Sequence, residues 1–247
     1  TIKQRGKDHK MFDDWAHVVV TLDTSDDGKT TKYTMYMNGA SANDNTNLFY
    51  WDSPFKVYPT NYLWVNHSDD GGKTWSLPTL ANVKFASEQT FLVAPGTGLV
   101  VEKPDGTKRI MFTGYEFTGG DRNSWVIYSD DGGLTWNRGA KCSGWSSEST
   151  ITQVGEKIYI FTRHGVCYYI SDDYGETFSE PISSGIDYNS NCMIHAITYS
   201  KKINGKDAII LSAPSNTGSR SHGKLFVGLV QNDGTISWEY EYVVDNS

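Results

Sequence analysis

Three charged side chains are the first candidates for chemistry: Glu148, Arg163 and Arg220. Glu148 stands in the segment Trp145-Ser-Ser-Glu-Ser-Thr, just before an apolar segment. Arg163 ends the next apolar segment, and Arg220 lies in a polar segment before a third. A positioned carboxylate can accept a proton during catalysis. A planar guanidinium can bind a carboxylate through two parallel hydrogen bonds, whereas a lysine acts only as a point charge.

Each of these side chains also has an ordinary structural interpretation. A glutamate in a loop is more often a solvated carboxylate than a functional group. An arginine is more often part of a surface ion pair, or stacked on an aromatic ring, than part of a binding site. Residue type alone leaves both interpretations open, so the elements that position the three side chains become decisive.

Three copies of one turn sequence predict those elements. Each copy obeys Ser-x-Asp-x-Gly-x-Thr-aromatic, and the copies begin at Ser68, Ser129 and Ser171. Their recurrence within 247 residues indicates an internal structural repeat. The aspartate can accept backbone N–H groups, the glycine can adopt a positive φ, and the final Trp or Phe should insert the turn into the core. We therefore expect these aspartates to be structural rather than catalytic.

Short apolar segments between the turns predict an all-β chain. Alternating segments precede the copies, as in Tyr62-Leu-Trp-Val-Asn-His and Ser124-Trp-Val-Ile-Tyr, so each copy should be the turn of a β-hairpin. Further strands are predicted at residues 98–102, 109–113, 157–162, 207–212 and 224–230. The 24 glycines and the aromatic content of 13% are also typical of all-β proteins.

Composition excludes several classes of function. The formal charge of -7 argues against binding to nucleic acid or to an anionic membrane through bulk electrostatics. No apolar run approaches the length of a membrane span. Cys142, Cys167 and Cys192 show no metal-ligand spacing with histidine, so we expect three buried thiols and neither a metal nor a cofactor.

The repeated turn is the Asp box, and on these motifs the chain resembles the bacterial sialidase (neuraminidase) family. In that family, Asp-box hairpins decorate the blades of a β-propeller. The resemblance implies a six-bladed β-propeller, with residues 51–247 forming blades and residues 1–50 forming part of a small inserted β-domain. The strands predicted above would lie at blade edges. Within residues 1–50, a polar turn at 25–29 between two apolar segments predicts a β-hairpin.

The resemblance also implies roles for individual side chains. Glu148 matches the family's general base, which deprotonates a tyrosine nucleophile. Arg163 and Arg220 match two members of an arginine triad that binds the carboxylate of sialic acid. Asn191 matches a position close to the sugar, where the family favours tyrosine. Because a propeller brings strand ends to a common axis, we expect Glu148, Arg163 and Arg220 at one end of the central channel.

The resemblance implies a retaining exo-α-sialidase that acts on terminal sialic acid of glycoproteins and glycolipids and is secreted or located at the cell surface. A tyrosine nucleophile suits this substrate, because its carboxylate would repel a carboxylate nucleophile. An intramolecular trans-sialidase would share the same residues. A non-catalytic Asp-box propeller that binds carbohydrate or protein is an alternative from another class.

The family's first arginine, its acid aspartate and its nucleophilic tyrosine have no match in this sequence. We expect them outside this chain, and we expect the chain alone to be inactive. Tyr240 and Tyr242 lie in an alternating segment and are interpreted as structural.

Overall fold

The computed structural model describes residues 18–24, 31–37, 40–41, 63–85, 90–117, 122–144, 146–164, 167–188, 192–216 and 218–245, the first three ranges by their backbone only. All regular elements in these ranges are β-strands, so none of the described residues belongs to a helix that could cross a membrane. The chain divides into two compact units, residues 1–61 and residues 62–247.

The described part of the first unit is one antiparallel sheet. It contains β1 (Val18–Thr24), β2 (Thr31–Met37) and β3 (Ala40–Ser41), in the order β1-β2-β3. Val18 lies opposite Met37, and Thr24 lies opposite Thr31. The β-hairpin predicted for this segment is therefore confirmed. That residues 1–50 belong to an inserted domain stays a prediction.

The described part of the second unit forms four antiparallel sheets. The first contains β4 (Leu63–Val65) and β5 (Thr79–Ala81). The second contains β6 (Thr90–Val93), β7 (Leu99–Glu102), β8 (Lys108–Phe117), β9 (Ser124–Ser129) and β10 (Asn137–Lys141). The third contains β11 (Ser149–Val154), β12 (Lys157–Thr162), β13 (Cys167–Ser171) and β14 (Ile182–Ser183). The fourth contains β15 (His195–Thr198), β16 (Ala208–Pro214), β17 (Gly223–Val230) and β18 (Ile236–Val243).

The third and fourth sheets are four-stranded meanders, each strand pairing with the next along the chain. In the second sheet, β6 and β7 pair with the two halves of β8, so together they occupy the place of a first strand. Such consecutive antiparallel sheets are the blades of a β-propeller. The all-β propeller fold expected from the sequence is thus confirmed.

Consecutive sheets contact each other through their first strands. The Thr152 and Thr198 hydroxyls of β11 and β15 are 2.8 Å apart, and Thr150 Oγ1 lies 3.3 Å from His195 Nδ1. Since residues 150 and 152 meet residues 195 and 198 in that order, β11 and β15 run in the same direction. The starts of both strands therefore lie at one end of the sheets.

The prediction that the apolar strands lie at blade edges is wrong for β8, β12, β16 and β17, each of which pairs with strands on both sides. It is confirmed for β7, which among the described strands pairs with β8 alone. In β12 the four residues Ile158, Tyr159, Ile160 and Phe161 are all buried, as a central strand between two cores requires. The outer edges are formed by β10, β14 and β18, whose side chains are half-buried or exposed.

The three Asp boxes lie in the hairpins β4–β5, β9–β10 and β13–β14, as expected. In the second, Asp131 accepts hydrogen bonds from the backbone N–H of Thr135 at 2.9 Å and from its hydroxyl at 2.6 Å. The Ser129 hydroxyl donates to the same carboxylate and accepts from Gly133 N–H at 2.8 Å. Gly133 has a φ of 93°. The other two boxes repeat these bonds.

These bonds occupy the Asp-box carboxylates. Hydrogen bonds from threonine, first among them the side-chain hydroxyl, lower the pKa of Asp70 and of Asp131 to about 2. A carboxylate held ionised by its own turn is poorly suited to exchange protons near neutral pH. The geometry fits the expected structural role.

The aromatic residues that end the boxes behave differently from one another. Trp136 and Phe178 are partly buried and pack against core clusters. Trp75 is 60% exposed, so the expectation that every box inserts its aromatic ring into the core is wrong for this copy. The strands that flank Trp75, β4 and β5, have three residues each, and they offer little apolar surface to cover an indole ring.

Arg109, on β8, joins the second and third Asp boxes. Its side chain is only 2% exposed. Nε and Nη2 donate to the two carboxylate oxygens of Asp130 at 2.8 and 2.7 Å. Nη1 donates to Glu176 at 2.7 Å and to the Tyr174 carbonyl at 2.9 Å. Its Cζ lies 3.7 Å from the centre of the Tyr128 ring. Burial lowers the pKa of Arg109, but the hydrogen bonds that it donates to Asp130 and Glu176 more than offset this effect and raise the pKa. The guanidinium is a charged cross-link between two blades.

We predict that Arg109→Met destabilises the fold. The substitution removes four charge-assisted hydrogen bonds, leaves Glu176 without this cation and leaves Asp130 with Lys103 at 3.7 Å, so the free energy of unfolding should fall by about 1.5–3 kcal/mol. Water can reach both carboxylates, which keeps the cost below that of a fully buried pair. Urea denaturation of the full-length protein would measure it.

Lys202→Met is the matched control, since it breaks the exposed Lys202–Asp207 ion pair. Its effect should stay within about 1 kcal/mol. Equal losses from the two substitutions would contradict a cross-linking role for Arg109.

Candidate functional site

The hairpin β11–β12 places Glu148 opposite Arg163. Ser149 pairs with Thr162 in this hairpin, so the residues one step beyond face each other across its open end. The Arg163 N–H donates to the Glu148 carbonyl at 2.9 Å, and its Nη1 donates to Glu148 Oε2. The two side chains are 19% and 18% exposed. They form an ion pair that is mostly shielded from water but still open on one side.

The segment before Glu148 is attached to the neighbouring sheet. The backbone N–H groups of Ser146 and Ser147 both donate to the Arg122 carbonyl at 2.9 Å, just before β9 begins. The His164 N–H donates to the Ser146 carbonyl at 3.2 Å. Residues of the second and third sheets therefore meet around the Glu148–Arg163 pair.

Tyr115 and Arg122 belong to the same cluster, although the sequence did not single them out. Tyr115 lies near the end of β8, opposite Ser124 at the start of β9. Burial raises the pKa of Tyr115, and so does the charge of Glu148, whereas Arg163 and Arg122 lower it. The phenol thus lies within electrostatic range of all three charged side chains. No local sequence signal indicates this position, because it depends on how the second sheet packs against the third.

His164 is a buried neighbour of these charges. Burial lowers the pKa of His164, and the positive charges of Arg163 and Arg122 lower it further. The ring is therefore neutral at pH 7. Among the described residues, Tyr115 and His164 both sense two arginines and one carboxylate, an excess of positive charge that suits an anionic ligand.

Arg220 is exposed, in the loop between β16 and β17. This loop follows Pro214, close to Ser212, which pairs with His195 at the start of β15. Since β11 and β15 start at the same end, the loop leaves its sheet at the end where Glu148 lies. Among the described residues, Arg220 has no ion-pair or hydrogen-bonding partner, so it shares this end of the sheets but is not bonded to the Glu148–Arg163 pair.

Other expectations have different outcomes. Asn191 lies outside the described residues. Cys142, Cys167 and Cys192 are free and buried. In the part of the chain that the structure describes, no group of three or more His, Cys, Asp or Glu side chains could hold a metal ion. The assignment of Glu148, Arg163, Arg220 and Asn191 to one site stays a prediction.

Comparison with known proteins identifies related sequences and folds. A family model described as a BNR repeat-like domain matches residues 2–247. The anhydrosialidase of Macrobdella decora is 33% identical over 218 residues, which cover 81% of this chain and 28% of that protein. Sialidase B of Streptococcus pneumoniae is 35% identical over 213 residues, which cover 81% and 29%.

A solved structure shares the fold. The intramolecular trans-sialidase from Ruminococcus gnavus, in complex with oseltamivir carboxylate, is 29% identical, with a TM-score of 0.68 over 94% of this chain and 50% of that one. This chain thus spans less than a third of the length of the two curated relatives and half of the matched structure.

The charge cluster predicts opposite shifts in the pKa of Tyr115. Glu148→Gln should lower this pKa, because it removes the negative charge that opposes ionisation of the phenol, and Arg163→Met should raise it by removing a cation. NMR titration of ¹³C-labelled tyrosine, with Tyr115→Phe for assignment, would measure both shifts. Arg220→Met is the control and should leave the titration unchanged. Shifts of the same sign in the first two variants would show that Tyr115 does not sense these charges.

Proposed function

This chain belongs to the bacterial sialidase family with BNR repeat-like domains, and we propose that the protein is a retaining exo-α-sialidase. Its substrates would be glycoproteins and glycolipids with terminal sialic acid, met as a secreted or cell-surface enzyme. The observation that carries the proposal is the shielded Glu148–Arg163 pair, with Arg122 and Tyr115 beside it. A propeller that served only as a binding module would not need a carboxylate held at the open end of a hairpin between cations.

Glu148 is the proposed general base. Its carboxylate would withdraw the proton from a tyrosine nucleophile as the phenol oxygen attacks the anomeric carbon. Tyr115, whose phenol senses the charges of Glu148, Arg163 and Arg122, would form a wall of the sugar site.

Arg163 and Arg220 are the proposed ligands of the substrate carboxylate. A guanidinium carries five N–H donors in a planar fork that matches the geometry of a carboxylate, and Nη1 of Arg163 donates to Glu148. Arg220 is exposed on a loop at the same end, so its side chain is accessible to an entering ligand. Asn191 would lie close to the sugar.

An intramolecular trans-sialidase is the second candidate. The similarity to the anhydrosialidase of M. decora and to the intramolecular trans-sialidase from R. gnavus favours it. Such an enzyme would use the same base and arginines, but a hydroxyl of the sugar would attack in place of water. The two candidates therefore differ in the product and not in the residues proposed here.

The full-length protein should release the terminal sugar from 3'-sialyllactose, and the product formed in H₂¹⁸O separates the two candidates. A hydrolase gives sialic acid that contains one ¹⁸O atom. An intramolecular transfer gives a product lighter by one water and without ¹⁸O. Mass spectrometry distinguishes them directly. Release of neither product would contradict the proposed function.

Glu148→Gln in the full-length protein should lower turnover of an aryl sialoside by a factor of about 10²–10⁴, the usual contribution of a general base. The amide is nearly isosteric, so it preserves packing, but it cannot accept the proton. Thermal unfolding should change little. Glu156→Gln, in the exposed turn at the other end of the same hairpin, is the matched control and should keep wild-type turnover. Wild-type turnover by Glu148→Gln would leave Glu148 as an ordinary loop carboxylate.

A further inference from the structure

We propose that Ser124, on the neighbouring blade, is a positioning residue for Glu148. Its hydroxyl holds the carbonyl of Ser147 and so fixes the backbone from which the carboxylate projects. The inference rests on the proposed function, because it assigns to Ser124 a part in the work of the general base. It concerns a residue that need not touch substrate.

Ser147 adopts a conformation that serine rarely accepts. Its φ is +59°, in the left-handed region, and its side chain is buried. Residues other than glycine avoid this region unless the surrounding structure enforces it, and such residues concentrate at functional sites. Ser147 directly precedes Glu148. The left-handed turn therefore decides the direction in which the Glu148 side chain leaves the backbone.

The neighbouring blade supplies the restraint. The Ser124 hydroxyl donates to the Ser147 carbonyl, and the Ser124 N–H donates to the Ser146 hydroxyl at 2.7 Å. The Arg122 carbonyl accepts from the N–H groups of both Ser146 and Ser147. Together, the backbone and side chain at the start of β9 satisfy both polar backbone groups of Ser147. Ser124 is completely buried, so water does not compete for these bonds.

The hydrogen bond from Ser124 differs from the others because a side chain makes it. The bonds that the Arg122 carbonyl accepts use only its backbone and do not depend on its side chain, whereas the hydroxyl of Ser124 can be removed alone. Without it, the buried Ser147 carbonyl loses the donor that Ser124 provides, and the peptide that joins Ser147 to Glu148 can rotate toward an ordinary conformation. A displacement of about 1 Å at a catalytic group can cost a factor of about 10² in rate.

The test is Ser124→Ala in the full-length protein, assayed on an aryl sialoside. We expect kcat to fall by about 10- to 100-fold, with KM changed less than about twofold, since the arginines that would bind substrate keep their places. Ser184→Ala is the matched control: Ser184 is also buried, and its hydroxyl donates to the Ile186 carbonyl at 3.4 Å. A fall in kcat confined to Ser124→Ala supports the proposal. An unchanged kcat, or an equal fall in the control, overturns it.

Ser124→Cys keeps the test decisive if Ser124→Ala does not fold. The thiol is similar in shape but a weak donor. Lower kcat at an unchanged melting temperature supports the proposal, and wild-type kcat overturns it.

A crystal structure of the variant separates this inference from the proposed function. If Ser147 keeps its left-handed φ and Glu148 stays paired with Arg163 without the Ser124 hydroxyl, the positioning role is wrong, whatever the enzyme does. If Ser147 leaves that region and the pair separates, the positioning role holds. Failure of the wild-type protein to release any product from a sialoside would overturn the proposed function, and the crystal structure would still decide the role of Ser124.

Discussion

The register of the β11–β12 hairpin is the constraint on which the candidate site depends. A two-residue turn, in which Gly155 has a φ of 59°, pairs Val154 with Lys157 and, at the other end, Ser149 with Thr162. Every residue of the hairpin then has a fixed partner and a fixed face. A slip by one residue would exchange the buried isoleucines of one core with Tyr159 and Phe161 of the other, so the different packing of the two cores maintains the register. Glu148 and Arg163 are opposed because those cores hold them so.

The site forms where the second and third sheets meet, and its polar groups are satisfied across that boundary. Glu148 and Arg163 come from one sheet, whereas Tyr115, Arg122 and Ser124 come from the other. Buried polar contacts of this kind favour one arrangement of the two sheets strongly over others, because a buried polar group without a partner is destabilising by its full desolvation free energy. At this end the two sheets are held by hydrogen bonds, and near the Asp boxes by the buried Arg109.

Local sequence predicted the parts of this molecule that local chemistry determines. The Asp-box turns follow from Ser, Asp, Gly and Thr within eight residues, and the strands follow from their apolar runs. The pairing of Glu148 with Arg163 could also have been predicted from the sequence, since the two residues flank one short hairpin. The placement of the strands within the blades was not, because burial on both faces depends on neighbours elsewhere in the chain.

Residues that depend on contacts between sheets escaped sequence analysis. Tyr115 and Arg122 flank the β8–β9 connection and reach the site only because that sheet packs against the next. The segment Trp145-Ser-Ser-Glu does not predict the left-handed backbone conformation of Ser147, since glycine is the residue that usually indicates it. Trp75 shows the opposite error: its motif matches the other copies, but the two short strands beside it cannot bury its ring.

The cross-link through Arg109 bears on whether the three turns are interchangeable. The motif positions are interchangeable among the three turns, whereas the positions between them are not. The residue between glycine and threonine is Lys73, Leu134 or Glu176, and only the glutamate pairs with Arg109. If the first turn were transplanted into the third place, it would set an ammonium against that buried guanidinium. Copies that share one motif are thus not exchangeable, because the third copy is matched to the guanidinium of the blade beside it.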